Sequence, residues 1–444
     1  MLVRDCVHCY SHKGLNIVVD GNSGAVHLLD DVAFTIVSEI KDGRELTDFE
    51  PSEALEEVTF LIDEGVLFSP DLTEVPEPQT SVVKALCLNI AHDCNIRCEY
   101  CFAHEGDFGG KRELMSLEVA KQAVDFLLNA SGPRVQCEID FFGGEPLMNF
   151  DVVKETVKYG KERSQELGKV LRFTLTTNGI ALNDEIIDFV NNEMYNVVLS
   201  IDGRKEVNDS MRRTYSGVGS VYETIIPKYR ELVSKRGPKS YYVRGTFTRN
   251  NLDFSNDVLH LVDQGFYEVS MEPVVADEDE RYALTENELP AILQEYERLA
   301  DAFLASKKQN KPFNFFHFNV ELKKGPCIYK RILGCGAGHE YLAVAPDGNL
   351  YPCHQFVGQD EYVIGSVYEG IKKTDLKDQF KNSHVLNKQT CKTCWAKYFC
   401  SGGCHANNIK FSGSINEPYE VSCIMERKRL ECSFYIQAAL SLEE

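Results

Sequence analysis

The sequence predicts an α/β protein in three parts: a small N-terminal module, a central series of parallel βα units, and a cysteine-rich C-terminal region. Three observations support this division. Two strand-like runs flank a glycine-containing turn near the N-terminus, strand-like and helix-like runs alternate through the middle, and nine of the sixteen cysteines lie in the last third. A chain of 444 residues is too long for one ordinary hydrophobic core, so two or three domains are expected.

The N-terminal module, residues 1–72, begins with the pattern of a β-hairpin. Apolar runs at 15–19 and 25–29 flank the turn Asp-Gly-Asn-Ser-Gly, which is a strong hairpin signal. The residues before 15 are expected to be irregular, and residues 73–81, with two prolines among polar neighbours, predict a linker. The rest of the module predicts two amphipathic helices and a third short strand, at 32–41, 52–64 and 66–68.

The central region, residues 82–310, alternates strand-like and helix-like runs, which predicts parallel βα units. The predicted strands are 85–91, 136–142, 171–176, 196–201, 241–246 and 267–272. The helices predicted between them include 116–129, 151–167, 184–192, 220–235 and 252–264. Because chemistry in such folds lies at the carboxyl ends of the strands, the polar residues that follow each strand are the candidate functional residues.

Three cysteines follow the first of these strands in a Cx3Cx2C pattern, namely Cys94, Cys98 and Cys101. Three thiolates in one tight loop can hold three irons of a [4Fe–4S] cluster and leave the fourth iron open to another ligand. The alternative is a zinc site, which requires four closed ligands. Only His92 and Cys87 are near enough in sequence to be the fourth, and a buried thiol is ordinary in the apolar run around Cys87. The pattern therefore favours an iron–sulfur cluster.

Polar residues also follow four later strands. Glycines after the second strand let the backbone approach a ligand closely, and the glutamate beside them supplies an acceptor. An arginine downstream of the fourth strand is suited geometrically to binding a carboxylate. In chain order these candidate residues are Gly143, Gly144, Glu145, Thr177, Asn178, Ser200, Asp202, Arg212 and Glu272.

A second cysteine system occupies the C-terminal region, residues 311–444. Seven cysteines there combine a GX4C element with a CX2CX5CX3C run: Cys335, Cys353, Cys391, Cys394, Cys400, Cys404 and Cys423. A zinc ribbon is the alternative interpretation, because paired cysteines also bind zinc. Seven thiolates do not divide into two zinc sites of four, so the count favours iron–sulfur clusters here as well.

Composition limits the partners and the location. A formal net charge of −21 argues against a nucleic-acid partner, since phosphate binding needs a basic face. No run of about 18 apolar residues is present, so no membrane span is predicted. The first residues lack the pattern of a signal peptide, which predicts a cytoplasmic protein. In that compartment, sixteen cysteines indicate metal binding rather than disulfides.

The cysteine loop and the strand-end motifs together resemble the radical SAM superfamily, and the seven C-terminal cysteines resemble its SPASM domain. The resemblance implies a partial (β/α)6 barrel with S-adenosylmethionine (SAM) and three [4Fe–4S] clusters as cofactors. Cys94, Cys98 and Cys101 would hold the SAM-binding cluster. The two auxiliary clusters would be held by Cys335, Cys353 and Cys404 in the first, and by Cys391, Cys394, Cys400 and Cys423 in the second. Cys327 either completes the first set or leaves an iron open to a substrate thiolate.

The resemblance also gives roles to the strand-end residues, but it names no general base. The Gly-Gly-Glu-Pro element would hydrogen-bond the SAM ammonium, and Arg212 would bind the SAM carboxylate. The backbone around Glu272 would lie near adenine. The polar residues after the third and fourth strands would contact the ribose or the carboxylate, namely Thr177, Asn178, Ser200 and Asp202.

The order of the three parts resembles the maturases that cross-link ribosomally made peptides through thioethers. The run 14–27 resembles most closely the SCIFF maturases, which act on short peptides with six cysteines. Residues 1–72 would then be a winged-helix-like element that binds the leader of a short Cys-rich precursor peptide by strand addition. A 5′-deoxyadenosyl radical would remove a hydrogen from a peptide carbon, a cysteine sulfur would close the thioether, and a ferredoxin or flavodoxin would supply electrons.

Three alternatives remain open. A SPASM dehydrogenase of the sulfatase-maturase kind would oxidise a Cys or Ser side chain to an aldehyde. A non-catalytic electron-transfer or zinc scaffold would use the cysteines without SAM. A DNA-binding winged helix would fit the pattern of residues 1–72, although that segment has more acidic than basic residues.

Overall fold

The computed structural model describes residues 2–71, 82–322 and 328–443. The predicted linker at 73–81 and the possible ligand Cys327 lie outside these ranges, so both remain predictions. Among the described residues, no helix combines the length and the hydropathy that crossing a bilayer requires.

The N-terminal module is a three-stranded antiparallel sheet packed against two helices. Asp30 and Ser52 cap these helices, because their side chains accept hydrogen bonds from the N–H groups of Ala33 and Leu55. The strands, in this order across the sheet, are β1 (Val7–His12), β2 (Leu15–Asp20) and β3 (Ala25–Leu29), and the helices are α1 (Asp31–Lys41) and α2 (Glu53–Asp63).

The third strand of this sheet is not the one that the sequence predicts. Residues 66–68 form bends, whereas β1 pairs with β2 along its whole length. The sequence predicts irregular structure for β1 because polar residues occupy positions that a half-buried strand usually fills with apolar ones. Those residues face the C-terminal region instead of water: the His8 ring stacks on Trp395, and its Nε2 lies 2.9 Å from Glu431 Oε1.

The central region forms a mostly parallel sheet, which confirms the predicted α/β class. Six strands lie parallel to one another in the order β12–β11–β9–β8–β7–β4, and they match the six predicted strands to within two residues at each end. The strands of this region are β4 (Ala85–His92), β5 (Ile96–Cys98), β6 (Glu113–Leu114), β7 (Gln136–Gly143), β8 (Val170–Thr177), β9 (Asn196–Ser200), β10 (Arg212–Thr214), β11 (Tyr242–Phe247), β12 (Glu268–Pro273) and β13 (Asn314–Phe315).

Helices cover the outer face of this sheet and form the main core with it. In β7 the fully buried Cys137, Ile139 and Phe141 belong to that core, and the alternating residues Asp140 and Phe142 lie on the opposite, inner face. The helices are α3 (Leu117–Ala130), α4 (Phe150–Glu166), α5 (Asp184–Glu193), α6 (Lys205–Met211), α7 (Val221–Arg236), α8 (Phe254–Asp263) and α9 (Leu289–Lys308).

The C-terminal region continues the central sheet. Its elements are α10 (Ile328–Leu333), β14 (Tyr341–Val344), β15 (Asn349–Tyr351), β16 (Gly365–Ser366), β17 (Gly370–Ile371), α11 (Thr374–Asn382), α12 (Gln389–Lys392), α13 (Lys397–Cys400), α14 (His405–Ser412) and α15 (Glu420–Ser441). Strand β14 lies parallel to β4, and β15, β16 and β17 extend the sheet beyond it. This pairing brings the Cys353 loop next to the strand that leads into Cys94.

Candidate functional site

The Gly143–Gly144 turn packs directly on the cysteine loop that follows β4. The N–H of Gly144 donates to the carbonyl of Ala91 at 2.8 Å, and the N–H of Glu145 donates to the carbonyl of Asp93 at 2.9 Å. A Cβ on Gly143 would lie 2.4 Å from the Ala91 oxygen, and one on Gly144 would lie 2.2 Å from the Asp93 oxygen. Both distances are shorter than van der Waals contact, so this approach requires glycine.

The Glu145 carboxylate joins this turn to the end of β8. It accepts hydrogen bonds from the Thr177 hydroxyl and the Asn178 N–H, each at 2.7 Å, and from the Leu147 N–H at 3.1 Å. Burial raises the pKa of Glu145 even though these hydrogen bonds lower it. The carboxylate therefore holds two strand ends together, and the backbone of the turn is what faces the cysteine loop.

Asn178 connects the same strand end to the first cysteine of the loop. Its Nδ2 lies 3.5 Å from the Cys94 sulfur and donates to the Asn95 side-chain oxygen at 2.8 Å. The structure thus brings Glu145, Thr177 and Asn178 together beside Cys94, as the strand-end rule predicts.

Arg212 takes part in a buried network on the other side of the loop. The Tyr100 hydroxyl donates to Asp202 Oδ2 at 2.6 Å and accepts from Arg212 Nη1 at 3.0 Å. Pairing of β10 with β5 sets Arg212 opposite Cys98. Ser200, half-buried at the end of β9, lies two residues before Asp202. Within the described residues the buried Nε of Arg212 has no hydrogen-bond partner, which leaves a donor for an anionic ligand.

The thiols of the loop are partly buried and lie near one another. Burial, with smaller contributions from the neighbouring thiols, raises the pKa of Cys94 to about 11 and that of Cys98 to about 12, although Arg212 opposes both shifts. Burial also raises the pKa of Cys101, but N–H groups from residues 103, 105 and 106 point at its sulfur and lower it. Such N–H groups stabilise the thiolate, which is the form that binds iron.

The C-terminal cysteines form two groups. Electrostatic interactions link Cys353 with Cys335 and Cys404 in one group. In the second group they link Cys391, Cys394, Cys400 and Cys423, and these four thiols line one cavity together with Ala396 and Lys397. These are the two sets that the resemblance assigns to the auxiliary clusters, so the donors present fit two cysteine-ligated groups. Ligation itself remains a prediction.

Backbone N–H groups also point at several C-terminal sulfurs. Burial raises the pKa of Cys353, Cys400 and Cys404, and N–H groups two or three residues downstream lower it in each case. In Cys6 and Cys9, for which no ligand role is predicted, side chains rather than N–H groups oppose the effect of burial on the pKa. Backbone N–H groups thus favour the thiolate form at these three predicted ligands.

In the described ranges, no three His, Cys, Asp or Glu side chains converge tightly enough to ligate a single metal ion. Zinc requires ligands within about 2.3 Å of one point. In a four-iron cluster each thiolate binds a different iron, so its ligands lie farther apart.

Glu272, at the end of β12, lines a cleft of about 260 Å³ that also contacts Cys400, Cys404 and Cys423. Its Oε1 lies 3.2 Å from His317 Nε2. Burial would raise the pKa of Glu272, but His317 and the guanidinium groups of Arg244 and Arg429 lower it to about 2. The cleft therefore holds an ionised carboxylate between the barrel and the C-terminal cysteines.

Sequence reasoning missed several polar residues on the inner face of the sheet. The Arg244 guanidinium lowers the pKa of three of their titratable groups: Asp140 in β7, Glu272 in β12 and His354 next to Cys353. Alternation of buried and polar residues along β7 and β11 is a signal that could have revealed Asp140 and Arg244. No local signal identifies His317, because its partners come from distant strands.

Profiles of two known families match this chain. The radical SAM superfamily matches residues 88–220, and SPASM, an iron-sulfur cluster-binding domain, matches residues 335–395. The chain contains a radical SAM domain followed by a SPASM domain. Together these domains imply SAM and [4Fe–4S] clusters as cofactors.

Two curated proteins are similar to this chain over more than two thirds of its length. The cysteine-type anaerobic sulfatase-maturating enzyme of Clostridium novyi is 24% identical over 337 residues, covering 71% of this chain and 86% of that enzyme. The radical SAM cyclopropyl synthase TigE of Paramaledivibacter caminithermalis is 22% identical over 353 residues, covering 75% of this chain and 70% of TigE. The chain, with its radical SAM and SPASM domains, is therefore similar both to a sulfatase-maturating enzyme and to a radical SAM synthase.

Solved structures share the fold. The structure of anSMEcpe with bound AdoMet has a TM-score of 0.69 at 20% identity and covers 82% of this chain and 96% of that chain. Streptococcus suis SuiB bound to its precursor peptide SuiA has a TM-score of 0.53 at 15% identity and covers 95% of this chain and 99% of that chain. The α/β radical SAM fold with a SPASM domain is thus confirmed.

Proposed function

We propose that this protein is a peptide maturase that forms intramolecular thioethers between cysteine sulfurs and carbon atoms of a ribosomally made, Cys-rich peptide, as the SCIFF maturases do. The N-terminal module is the observation that carries the proposal. The likeness to SuiB extends over 95% of this chain, which is too much to omit a module of this size. Because SuiB was solved with its precursor peptide bound, a peptide is the natural partner for this module as well.

The open edge of the N-terminal sheet offers a docking place for the leader peptide. Within the described residues β3 pairs with β2 alone, so the N–H and C=O groups of its outer edge are available to another strand. Leu28 and Val32 are exposed near this edge. A leader added as a fourth strand would be bound through its backbone and selected through its side chains. Docking would also raise the effective concentration of the core peptide at the barrel.

The residues beside the Cx3Cx2C loop fit SAM and a cluster with one open iron. Cys94, Cys98 and Cys101 would hold the cluster, the backbone of the Gly143–Gly144 turn would face the SAM ammonium, and the unpartnered Nε of Arg212 would bind the SAM carboxylate. When bound, these cofactors supply a 5′-deoxyadenosyl radical that removes a hydrogen atom from a peptide carbon. Tyr100 and Asp202 hold the Arg212 guanidinium in place beside the loop.

The two C-terminal cysteine groups would hold two auxiliary clusters, giving three in total. The second group has four thiols of its own. In the first group the fourth ligand is either Cys327 or the thiolate of the substrate. The cleft beside Glu272 connects both groups with the barrel, and it would admit the core peptide. A cytoplasmic ferredoxin or flavodoxin is the proposed electron donor.

Oxidation of a Cys or Ser side chain to an aldehyde is the second candidate function. The similarity to the Clostridium novyi sulfatase-maturating enzyme and to the anSMEcpe fold favours it. Both reactions would use the same barrel and the same cysteine groups, so they differ in the product and in the need for a leader peptide.

Mass spectrometry of a peptide product distinguishes the two functions. Reconstituted protein, SAM and a reductant are supplied under anaerobic conditions with the short Cys-rich peptide encoded nearest this gene, and the product is reduced and alkylated. A loss of two hydrogens with one fewer alkylated cysteine supports the maturase. An aldehyde supports the dehydrogenase. Formation of 5′-deoxyadenosine with an unchanged peptide contradicts the assigned substrate.

A further inference from the structure

Asp140 is a carboxyl group on the inner face of the sheet that none of the proposed cofactor contacts uses. Its neighbours in β7, Ile139 and Phe141, are fully buried on the helix-covered side, whereas Asp140 is half-buried on the other side. Among the residues that the structure describes, its one hydrogen bond comes from the Thr176 hydroxyl at 3.5 Å, which is a weak contact. Burying a carboxyl group that has so little hydrogen bonding costs free energy, which indicates that Asp140 serves a function.

The position of Asp140 relates it to both cysteine systems. Phe142 follows it on the same face, about 7 Å further along the strand. The Phe142 ring lies 6.3 Å from Phe102, which follows Cys101, and 5.2 Å from His354, which follows Cys353. Asp140 therefore lies beneath the point where the loop of the SAM-binding cysteines meets the loop of the first auxiliary group.

Burial and the charged and titratable groups around Asp140 bring the pKa of its carboxyl group near neutral pH. Burial raises the pKa of Asp140 to about 7, although the Thr176 hydroxyl and the Arg244 guanidinium lower it. Cys87 on β4 and Tyr341 on β14 also face it, and burial raises the pKa of both, so they stay protonated. Asp140 is thus the group on this face whose pKa is near working pH, where a base is most effective.

We propose that the Asp140 carboxylate accepts the proton of the substrate cysteine thiol during thioether formation. In this step the S–H bond breaks, its proton passes to Asp140, and the sulfur forms a bond with the substrate carbon. The hydrogen atom of that carbon leaves in 5′-deoxyadenosine. The one electron that remains would pass to an iron–sulfur centre, for which the auxiliary cysteines would supply the ligands. The inference rests on the proposed maturase function.

The test compares Asp140→Asn with Glu138→Gln, a matched control on the same face of β7 but exposed at the start of the strand. Both are assayed for cross-linked peptide, for 5′-deoxyadenosine and for peptide affinity between pH 5.5 and 8.5. We expect D140N to lower cross-linking about 100-fold or more, the usual contribution of a general base. We expect it to continue cleaving SAM and to bind the peptide normally, and E138Q to match the wild type.

The pH profile separates a proton acceptor from a structural role. Wild-type cross-linking should fall as the pH drops below about 7, because the carboxylate becomes protonated, and D140N should lose this dependence. Thr176→Val removes the hydrogen bond that lowers the pKa, so its acidic limb should move to higher pH; this variant decides the question if D140N does not fold. If the wild type forms the thioether but D140N has unchanged kinetics, the proposed role of Asp140 is wrong and the proposed function stands. The same holds if the acidic limb of the pH profile does not move in T176V. A wild-type product without a thioether overturns the proposed function and this inference with it.

Discussion

Single residues around the Cx3Cx2C loop are constrained by space rather than by charge alone. Gly144 carries no chemistry, yet its missing Cβ lets the turn donate hydrogen bonds to the loop backbone. The motif predicts that Glu145 contacts a ligand, but its carboxylate accepts hydrogen bonds from Thr177 and Asn178. The motif therefore connects the ends of β7 and β8.

Gly144→Ala should separate the turn from the cysteine loop. The new methyl group would lie 2.2 Å from the Asp93 carbonyl, a backbone atom that cannot rotate away. We expect a loss of about 1–3 kcal/mol in unfolding free energy, as for other overpacked sites, and a loss of SAM binding. Gly110→Ala is the control, because its Cβ would meet its nearest atom at 3.6 Å. Equal SAM affinity for the two variants, measured by calorimetry, would contradict the assignment of the turn.

Arg212→Lys should weaken SAM binding without unfolding the protein. Lysine retains the charge but lacks the planar guanidinium that reaches a carboxylate while bonding Tyr100. Losing a hydrogen bond to a charged group costs about 1.5–3 kcal/mol, which corresponds to a 10-fold or greater rise in the Kd for SAM. Arg213→Lys is the matched control, since Arg213 is half-exposed and pairs with Glu99 at 2.6 Å. If R213K weakens SAM binding as much as R212K, the role given to Arg212 is wrong.

Elements of the barrel could be predicted from sequence because their signals are local. Each parallel strand is an apolar run followed by a turn and an amphipathic helix, so the existence and order of the six units follow from periodicity. Strand β1 could not be predicted, because its polar residues bind partners in α15 and beside Cys394, hundreds of residues away. His317 and Arg244 could not be predicted for the same reason, because both pair with Glu272, which lies on a different strand.

The contact between Gly21, which follows β2, and Trp395, which follows Cys394 of the second cysteine group, gives a prediction about peptide processing. A Cβ on Gly21 would lie 2.3 Å from the carbonyl of Trp395, so Gly21→Ala should displace the N-terminal module from the SPASM cysteines. We expect cross-linking to fall at least 10-fold while SAM cleavage without peptide is unchanged, because the leader would no longer present the core to the barrel.

The chain's one tryptophan reports this displacement directly. Trp395 stacks on His8 with ring centroids 4.4 Å apart, so its fluorescence should change when the module moves. Gly110→Ala again serves as the control. Unchanged fluorescence together with wild-type cross-linking in G21A would show that docking of the module on this surface is not needed for peptide processing.

At the scale of the whole molecule, one sheet joins the barrel to the cysteine-rich region. Strand β14 pairs with β4, the strand that leads into Cys94, and the buried Lys397 lies 2.9 Å from Asp71 at the end of the N-terminal module. The three parts that sequence separates are therefore packed as neighbours around the cysteine groups. A change in one cysteine group should leave the other clusters in place, because the three groups share no cysteine.

Iron content tests the assignment of the cysteines across the molecule. Replacing Cys391 and Cys394 together by Ala should remove about four iron atoms per chain, abolish cross-linking and leave SAM cleavage in place, because each cluster has its own ligands. Replacing the three loop cysteines, Cys94, Cys98 and Cys101, should remove a similar amount of iron and abolish SAM cleavage as well. The control replaces Cys9 and Cys137, for which no ligand role is proposed. Stoichiometric zinc in the purified protein, or iron that is unaffected in C391A/C394A, would overturn the auxiliary cluster.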